Sequence, residues 1–529
     1  MRAITVQEMR HLEQAGNAAG YSYAEMMQQA GRGIAERIQR VFRRSEIRKV
    51  VGLVGDGNNG GDTLIALTAL LLTGWETHAL LVGKRNPMDP EVLDYQSEGG
   101  RLIEISQLQS TSSGSLLLDG IYGTGFRLPL PAETRAVLEE VNTIWDQSRL
   151  VAVDCPSGVD CSSGEVSPGT LKAGLTLCLE AVKSGMLKDP ALAYCGELQA
   201  IDLGLAKYGD AARSSSVELI DRDFVAAHLP IRPEFSHKGD FGKLIVLGGS
   251  MTYTGAPVLA GRGAYAVGTG LVQLAVPEVI HTCCGGSNLE MTWLILDDAD
   301  GVISENAYET LLPSLPGCSA LVLGPGIGRE DTTRRFIQHL LQGKQSEATP
   351  AKIGFPGIKV SPVRQVTALP PMVLDADGLS LLAELKAMPG KDRLQMVLTP
   401  HPGEMSRLTG LSVEEIQTDR LEVAARFAVS WGQTVLLKGA NTVIVDENGQ
   451  KMVLPIATSA LAKAGSGDVL AGMIGGLLAQ GLEPFYAAAC AAWLHARAGI
   501  LAARHIGAKE SVLAGQVAAA IPRVIAALS

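Results

Sequence analysis

Aromatic side chains make up only 5% of this chain, its eight cysteines form no C-x-x-C pair, and no basic excess offsets a formal net charge of −10. Each scarcity excludes something. Without surplus Lys and Arg there is no broad electrostatic grip on nucleic acid or an anionic membrane, although a local phosphate site stays open. Without paired cysteines, or histidines at ligand spacing, a zinc site is excluded, and buried free thiols are the expectation. Long apolar runs are missing too: stretches such as "LIALTALLLTG" break off well short of a membrane span, and "MRAITVQEMRHLEQ" lacks the apolar core of a secretion signal. A cytoplasmic protein is expected.

What is present is glycine, 60 residues of it, in a chain of 529 that is too long for one ordinary core. Short, almost wholly apolar runs alternate with helical patterns. "KVVGLVG", "THALLVG", "RLIEI", "SLLLDGI" and "LVAVDCP" read as parallel strands buried on both faces. The polar, proline-bearing segment "AKYGDAARSSSVELIDRDFVAAHLPIRPEFSHKGD" has no long apolar period and is the best boundary. Beyond it the alternation restarts with "GKLIVLGGS", "LVQLAVP", "ALVLGPGIG", "PMVLDADGL", "MVLTPHPGE", "TVLLKGANTVIVD" and "KMVLPI". Polar residues at the ends of these strands point to a site, since open α/β sheets bind ligands there. "EATPAKIGFPGIKVSPVRQVTALPP" reads as an irregular surface excursion.

The strongest chemical signal is "AKAGSGDVLAGMIGGLLAQG". Gly465 and Gly467 open a helix whose free amides and dipole favour phosphate oxygens, and Asp468 falls in its first turn. An acid beside a phosphate cradle is awkward unless it accepts the proton of an attacking hydroxyl; the alternative is a plain helix cap. Lys438, Asn441 and Thr442 in "LLKGANT" suit nucleotide contacts, His401 and Glu404 sit in "TPHPGE", and Gly324, Gly326 and Gly328 in "GPGIG" admit something bulky.

In this order, "HKGDFGKLIVLGGSMTYTGAPVLAGRGAYAVGTGLV", "GPGIG", "TPHPGE", "KGANT" and "AGSGDVLAGMIGGLLAQG" resemble the ADP/ATP-dependent NAD(P)H-hydrate dehydratases of the ribokinase-like superfamily, over nearly all of residues 225–529. The resemblance implies that Lys438, Gly439, Ala440, Asn441, Thr442 and Gly467 contact the adenine nucleotide. It also implies that Ala256, Gly326, His401 and Asp468 line the hydrated dinucleotide, with Asp468 as base and Mg²⁺ bridging nucleotide oxygens. Bacterial members point to ADP as co-substrate. The rival on this fold is a small-alcohol kinase.

Gly55, Gly57 and Gly60 have the G-x-G-x-x-G spacing of a dinucleotide fingerprint. The acid that should follow about 20 residues later to hold a ribose is missing. "WETHALLVGKRN" offers Lys84 and Arg85 instead, which disfavours a plain NAD site and tolerates NADP. Asn58, Asn59 and Asp62 in the loop, with Asp119, Asp154 and Ser157 at later strand ends, could hold a hard cation.

"ITVQEMRHLEQAGNAAGYSYAEMMQQAGRGIA", "NNGGD", "DGIYGTGF", "DCPSG" and "EAVKSGML" resemble the NAD(P)H-hydrate epimerase domain over roughly residues 1–215. The resemblance implies potassium ligands Asn59, Asp119 and Ser157. It implies substrate contacts from Asn58, Asn59, Gly60, Gly61, Asp62, Gly123, Thr124, Gly125, Phe126, Arg127, Leu128, Pro129 and Asp154, with Asp154 the leading acid/base group and Lys183 its helper. Thr63 replaces the last glycine of the usual NNGGDG loop; a helical backbone there would make this harmless. The expectation is an α/β protein of two three-layer α/β/α domains, Rossmann-like in residues 1–218 and ribokinase-like in 219–529. It would interconvert R and S hydrates of NADH and NADPH and dehydrate the S form at the expense of ADP, as a homo-oligomer without nucleic-acid or membrane partners. The alternatives are a ribokinase-like kinase fused to an oxidoreductase, or a first half that only binds.

Overall fold

The computed structural model describes residues 1–209, 217–342, 369–385, 388 and 394–528. The Pro-rich stretch expected to be a surface excursion lies almost entirely outside them. Two compact units emerge, Met1–Leu219 and Ile220–Ser529.

The first unit carries a seven-stranded parallel sheet. Lys49–Val54 pairs on one side with Glu76–Leu81, which is followed by Arg101–Leu102, and on the other with Ser115–Gly120. Leu150–Val153, Leu175–Leu179 and Glu197–Ile201 continue outward. The chain first builds in one direction and then returns, so the switch point lies between Lys49–Val54 and Ser115–Gly120. A crevice opens there at the carboxyl ends. "LTLCL" and "ELQAI" are thus strands that the periodicity reading passed over. Arg2–Ile4 pairs antiparallel with Val217–Leu219 and parallel with Val182–Lys183.

In the second unit, Lys243–Leu247 likewise separates Leu271–Pro277 and Thr292–Leu296 from Ala320–Leu323, Met372–Leu374, Met396–Leu398 and Thr434–Leu437, all parallel. The antiparallel Thr442–Val445 and Lys451–Leu454 extend this sheet. Helices Ala256–Ala266 and Ser466–Ala479 cross at backbone contact, because Gly263 faces the Val469 carbonyl and Gly472 faces the Ala260 carbonyl. Any larger residue there would force the helices apart.

Two details differ from expectation. The presumed linker contains the helix Arg222–His228, whose Val225 is buried, so this polar segment is partly ordered structure. Cys283 is exposed, and Cys284 and Cys318 are half-buried; only Cys155, Cys161, Cys178, Cys195 and Cys490 pack as buried thiols. No described helix is long and apolar enough to cross a membrane.

Candidate active sites

In the second unit, four neighbouring parallel strands end at one edge and deliver polar residues there; three end in register at Leu323, Leu374 and Leu398, and the fourth runs two residues further, to Leu437. After Leu323 comes Gly324, after Leu374 Asp375, after Leu398 Thr399 and then His401, and after Leu437 Lys438. Gly324 has φ +119°, and a Cβ on it would strike the Asp375 carbonyl. Lys438 Nζ lies 2.7 Å from Asp375 Oδ1 and 3.7 Å from Glu404 Oε2. Asp375 is 2% exposed and also accepts from Thr399 Oγ1 at 2.7 Å. Burial works against the Lys438 charge, but Asp375 and Glu404 outweigh it and raise its pKa.

The helix Ser466–Ala479 begins at this edge. Its N-cap is Gly465 at φ +86°, with no side-chain cap; the Ser466 amide donates to the Lys463 carbonyl at 3.3 Å, whereas the Gly465 and Gly467 amides have no partner among the described residues. A Cβ on Gly467 would sit 3.6 Å from Lys438 Nζ and 3.7 Å from Asp375 Oδ2, which places the ion pair beside the amide cradle. Asp468 occupies the first turn, and no described residue hydrogen-bonds its carboxyl, so it is not a cap. Burial, then the like charge of Asp375, push its pKa up to about 7 against the pull of Lys438. Ser466 Oγ lies 3.1 Å from Nε2 of buried His495, whose pKa burial lowers to about 4.

Other expected residues are arranged around this point. Gly326, φ +62°, would carry a Cβ 3.0 Å from that of Ala256, and Leu259 of the same helix reaches Gly465. His401 caps the helix Pro402–Thr409: its Nδ1 accepts from the Gly403 and Glu404 amides at 3.0 and 3.3 Å. Burial and then Lys438 lower its pKa. Gly439 and Ala440 are exposed, Asn441 has φ +54°, and Thr442 Oγ1 donates to the Gly439 carbonyl at 2.9 Å. Arg420, which the sequence did not single out, donates to the Leu437 and Lys438 carbonyls at 2.9 and 3.0 Å and holds this turn; burial lowers its pKa to about 10.

In the first unit the fingerprint glycines have structural reasons. A Cβ on Gly55 would hit the Ile121 carbonyl and one on Gly60 the Gly55 carbonyl, whereas Gly57 is open. The helix Asn58–Leu72 follows. Asn59 donates from Nδ2 to the Val153 carbonyl at 3.1 Å, while its Oδ1 is buried without a partner. Asp119, 3% exposed, accepts from Ser157 N at 2.8 Å and Ser157 Oγ at 2.6 Å, and Ser157 Oγ accepts from Tyr122 N at 3.0 Å. Burial raises the Asp119 pKa against these hydrogen bonds. A Cβ on Gly123 would lie 3.5 Å from Asn59 Oδ1, and the preceding residue, Tyr122, donates its amide to Ser157 Oγ, so the turn after Ser115–Gly120 touches both Asn59 and Ser157.

The turn through Thr124 and Gly125 is closed by the Phe126 amide on the Gly123 carbonyl at 3.1 Å; Phe126 stacks on Tyr122, and a cis Leu128–Pro129 bond follows. Arg127 is exposed and donates to the Phe126 carbonyl at 2.6 Å. Asp154 has φ +64°; its Oδ1 accepts from Leu179 N at 3.1 Å and from the fully buried Lys183. Arg85 is engaged within its own loop. It pairs with Asp89 and Glu91 at 3.0 Å each and donates to the Gly55 and Gly57 carbonyls, so it clamps the loop.

A parallel-sheet crevice with a glycine-led helix and an unshared acid defines a phosphate-handling α/β enzyme in the second unit. The family model for NAD(P)H-hydrate dehydratase matches residues 244–349 and 361–523, and that for the YjeF-related protein N-terminus matches 23–185. A bifunctional NAD(P)H-hydrate repair enzyme of Moorella thermoacetica is 34% identical over 99% of this chain and 97% of its own. One from Salinibacter ruber is 32% identical over 95% and 92%. A solved ADP/ATP-dependent NAD(P)H-hydrate dehydratase from Bacillus subtilis, co-crystallised with ATP and Mg²⁺, is 28% identical, covers 59% of this chain and 99% of its own, and has a TM-score of 0.48. The chain belongs to the family of bifunctional NAD(P)H-hydrate repair enzymes.

Proposed function

We propose that this chain repairs hydrated nicotinamide dinucleotides at two sites. Residues 1–218 interconvert the R and S hydrates of NADH and NADPH, and residues 219–529 dehydrate the S form at the expense of ADP, releasing AMP and phosphate. The observation that carries this reading is the Asp468 carboxyl, unshared and raised to about 7, at the mouth of a glycine-led helix beside Lys438.

Hydroxide is a poor leaving group, whereas phosphate leaves readily once the ring hydroxyl has been phosphorylated. Asp468 takes the hydroxyl proton, the Gly465 and Gly467 amides face the transferring phosphoryl group, and Lys438 balances its charge. Ala256, Gly326 and His401 line the hydrated dinucleotide; Lys438, Gly439, Ala440, Asn441, Thr442 and Gly467 contact the nucleotide. Mg²⁺ would supply positive charge against the charge that develops on the nucleotide phosphates. The ion would be held chiefly by substrate phosphate oxygens, with Asp375, whose Oδ2 lies beside Gly467, as the carboxylate placed to join them, which leaves Asp468 free as the base.

In the first unit Asp154 acts on the hydroxyl-bearing carbon, and residues 58–62 and 123–129 hold the substrate. The orphaned Asn59 Oδ1 and the hydrogen-bonded Asp119 and Ser157 oxygens, which the turn at Tyr122 and Gly123 touches from both sides, are donors suited to K⁺, which would supply a fixed positive charge between the loops. The fusion has a chemical logic: a stereospecific dehydratase clears one epimer, and an epimerase makes the other available. Incubating the full chain with mixed R and S NADH hydrate, K⁺, Mg²⁺ and ADP or ATP tests this through NADH absorbance. Complete recovery with ADP as the better donor is expected. Recovery limited to the S fraction overturns the epimerase assignment, and none with either donor overturns the whole reading.

A further inference from the structure

The start of the helix Asn58–Leu72 is tied to the end of the strand Leu150–Val153 by Asn59, which donates to the Val153 carbonyl at 3.1 Å, so Asp62, one turn on, lies near Asp154, and the mechanism above uses only Asp154 and its partner Lys183. Strand pairing sets Ile4 against Lys183, so the helix Val6–Ala18 starts beside this pair. Its Glu13 feels both Lys183 and Asp154. Asp62, on the helix Asn58–Leu72, is 5% exposed, and no described residue hydrogen-bonds its carboxyl. Its charged neighbours are Asp154, Glu13 and Lys183. Those of Glu13 also include Arg10.

An unpartnered, buried carboxyl is costly to ionise. Burial, then the like charges of Asp154 and Glu13, hold the Asp62 pKa well above the usual carboxylate range, against Lys183. Burial raises Glu13 as well, opposed by Lys183. Lys183 is a poor proton donor by contrast: burial disfavours its charge, but Asp154 overrides this and raises its pKa, and Nζ also donates to the Leu179 carbonyl at 2.9 Å. Losing that proton would leave the pair broken in a buried setting.

We propose that Asp62 is the general acid of the epimerase and Glu13 its positioning residue, which sets the charge near Asp62. This rests on the epimerase reading of the first unit. Hydration of an enamine bond puts the hydroxyl on the carbon next to the ring nitrogen. Asp62 gives its proton to that hydroxyl as the C–O bond breaks, the bonding pair leaves on oxygen as water, and the nitrogen lone pair forms a C=N⁺ iminium. Water adds to the opposite face: an oxygen lone pair makes the new C–O bond, the C=N π pair returns to nitrogen, and the surplus proton passes to Asp154 while Asp62 is reprotonated from solvent and Asp154 returns its proton there. One water leaves and one enters, so no further reactant is required.

The test is R-to-S conversion by the full chain, followed chromatographically from pH 5 to 10, with thermal melting of each variant. The parent loses rate as Asp62 deprotonates on the alkaline side. Asp62→Asn loses about 100-fold or more. Glu13→Gln removes a like charge, lowers the Asp62 pKa and moves the alkaline limb down by at least ~0.5 pH unit. A merely structural role for Glu13 would scale the rate at every pH without moving the limb. An unmoved limb in Glu13→Gln, or a folded Asp62→Asn within tenfold of the parent, overturns this inference alone. A parent chain that does not interconvert epimers overturns the epimerase reading itself.

Discussion

The Lys183 ammonium is fully buried and donates to Asp154, whose backbone is held at φ +64° by the strand end it closes. The pair is therefore a structural unit before it is a chemical one. Removing only the cation leaves an uncompensated buried carboxylate, so Lys183→Met should destabilise the first unit by about 3–5 kcal/mol. Adding Asp154→Asn should recover part of that loss. Urea unfolding monitored on both variants checks the coupling; equal destabilisation by the single and double variants would refute it.

Asp468 makes the dehydratase pH-dependent. As a base it works ionised, so kcat/KM should rise with pH through about 7. The stability contribution has the opposite sign. The folded pKa lies above the unfolded one, so between about 4 and 7 the folded state binds the extra proton and stability falls as pH rises. Asp468→Asn should lose about 100-fold or more in rate while melting no lower than the parent at pH 8. A flat pH–rate profile would contradict the assignment.

Gly467 separates folding from binding. A Cβ there meets only Lys438 Nζ at 3.6 Å and Asp375 Oδ2 at 3.7 Å, ordinary contact distances, and alanine is the better helix former. Gly467→Ala should shift stability by under ~1 kcal/mol, yet occupy the space where phosphate oxygens approach the amides. The nucleotide KM is expected to rise by about tenfold, roughly 1.4 kcal/mol of lost binding. Unchanged nucleotide kinetics would place the phosphate elsewhere.

Thr63 stands in the helix Asn58–Leu72, fully buried, and donates from Oγ1 to the Asn59 carbonyl at 2.8 Å. Its hydroxyl fills the place where a Cβ on Gly120 would go. Thr63→Gly should keep epimerase turnover within about threefold and cost about 1–2 kcal/mol, from helix propensity and lost packing. Gly120→Ala alone should cost about 1–3 kcal/mol by overpacking. The two changes together should cost less than their sum, which thermal or urea unfolding of the four variants measures.

Strands such as "KVVGLVG" and "ALVLGPGIG" were legible because burial on both faces writes an unbroken apolar run, and Asp468 was legible because a short glycine-led helix start puts acid and amides together in sequence. Asp375, Arg420 and Glu13 were not. Asp375 acquires its role from Lys438, 63 positions away, Arg420 from carbonyls across a strand end, and Glu13 from groups that the fold gathers only through Lys183. Arg85 shows the converse: its place in the sequence suited a phosphate ligand, while its ion pairs with Asp89 and Glu91 commit it to the loop. The G-x-G-x-x-G spacing likewise reflects backbone crossing at Gly55 and Gly60 as much as any ligand.

The central claim is that two independent sites in one chain act on the two epimers. It is tested most directly by measuring epimer interconversion and ADP-driven NADH recovery separately in Asp154→Asn and Asp468→Asn. The account predicts that Asp154→Asn loses interconversion and still dehydrates the S hydrate, while Asp468→Asn interconverts epimers and recovers no NADH. Loss of both activities in either folded variant would contradict it.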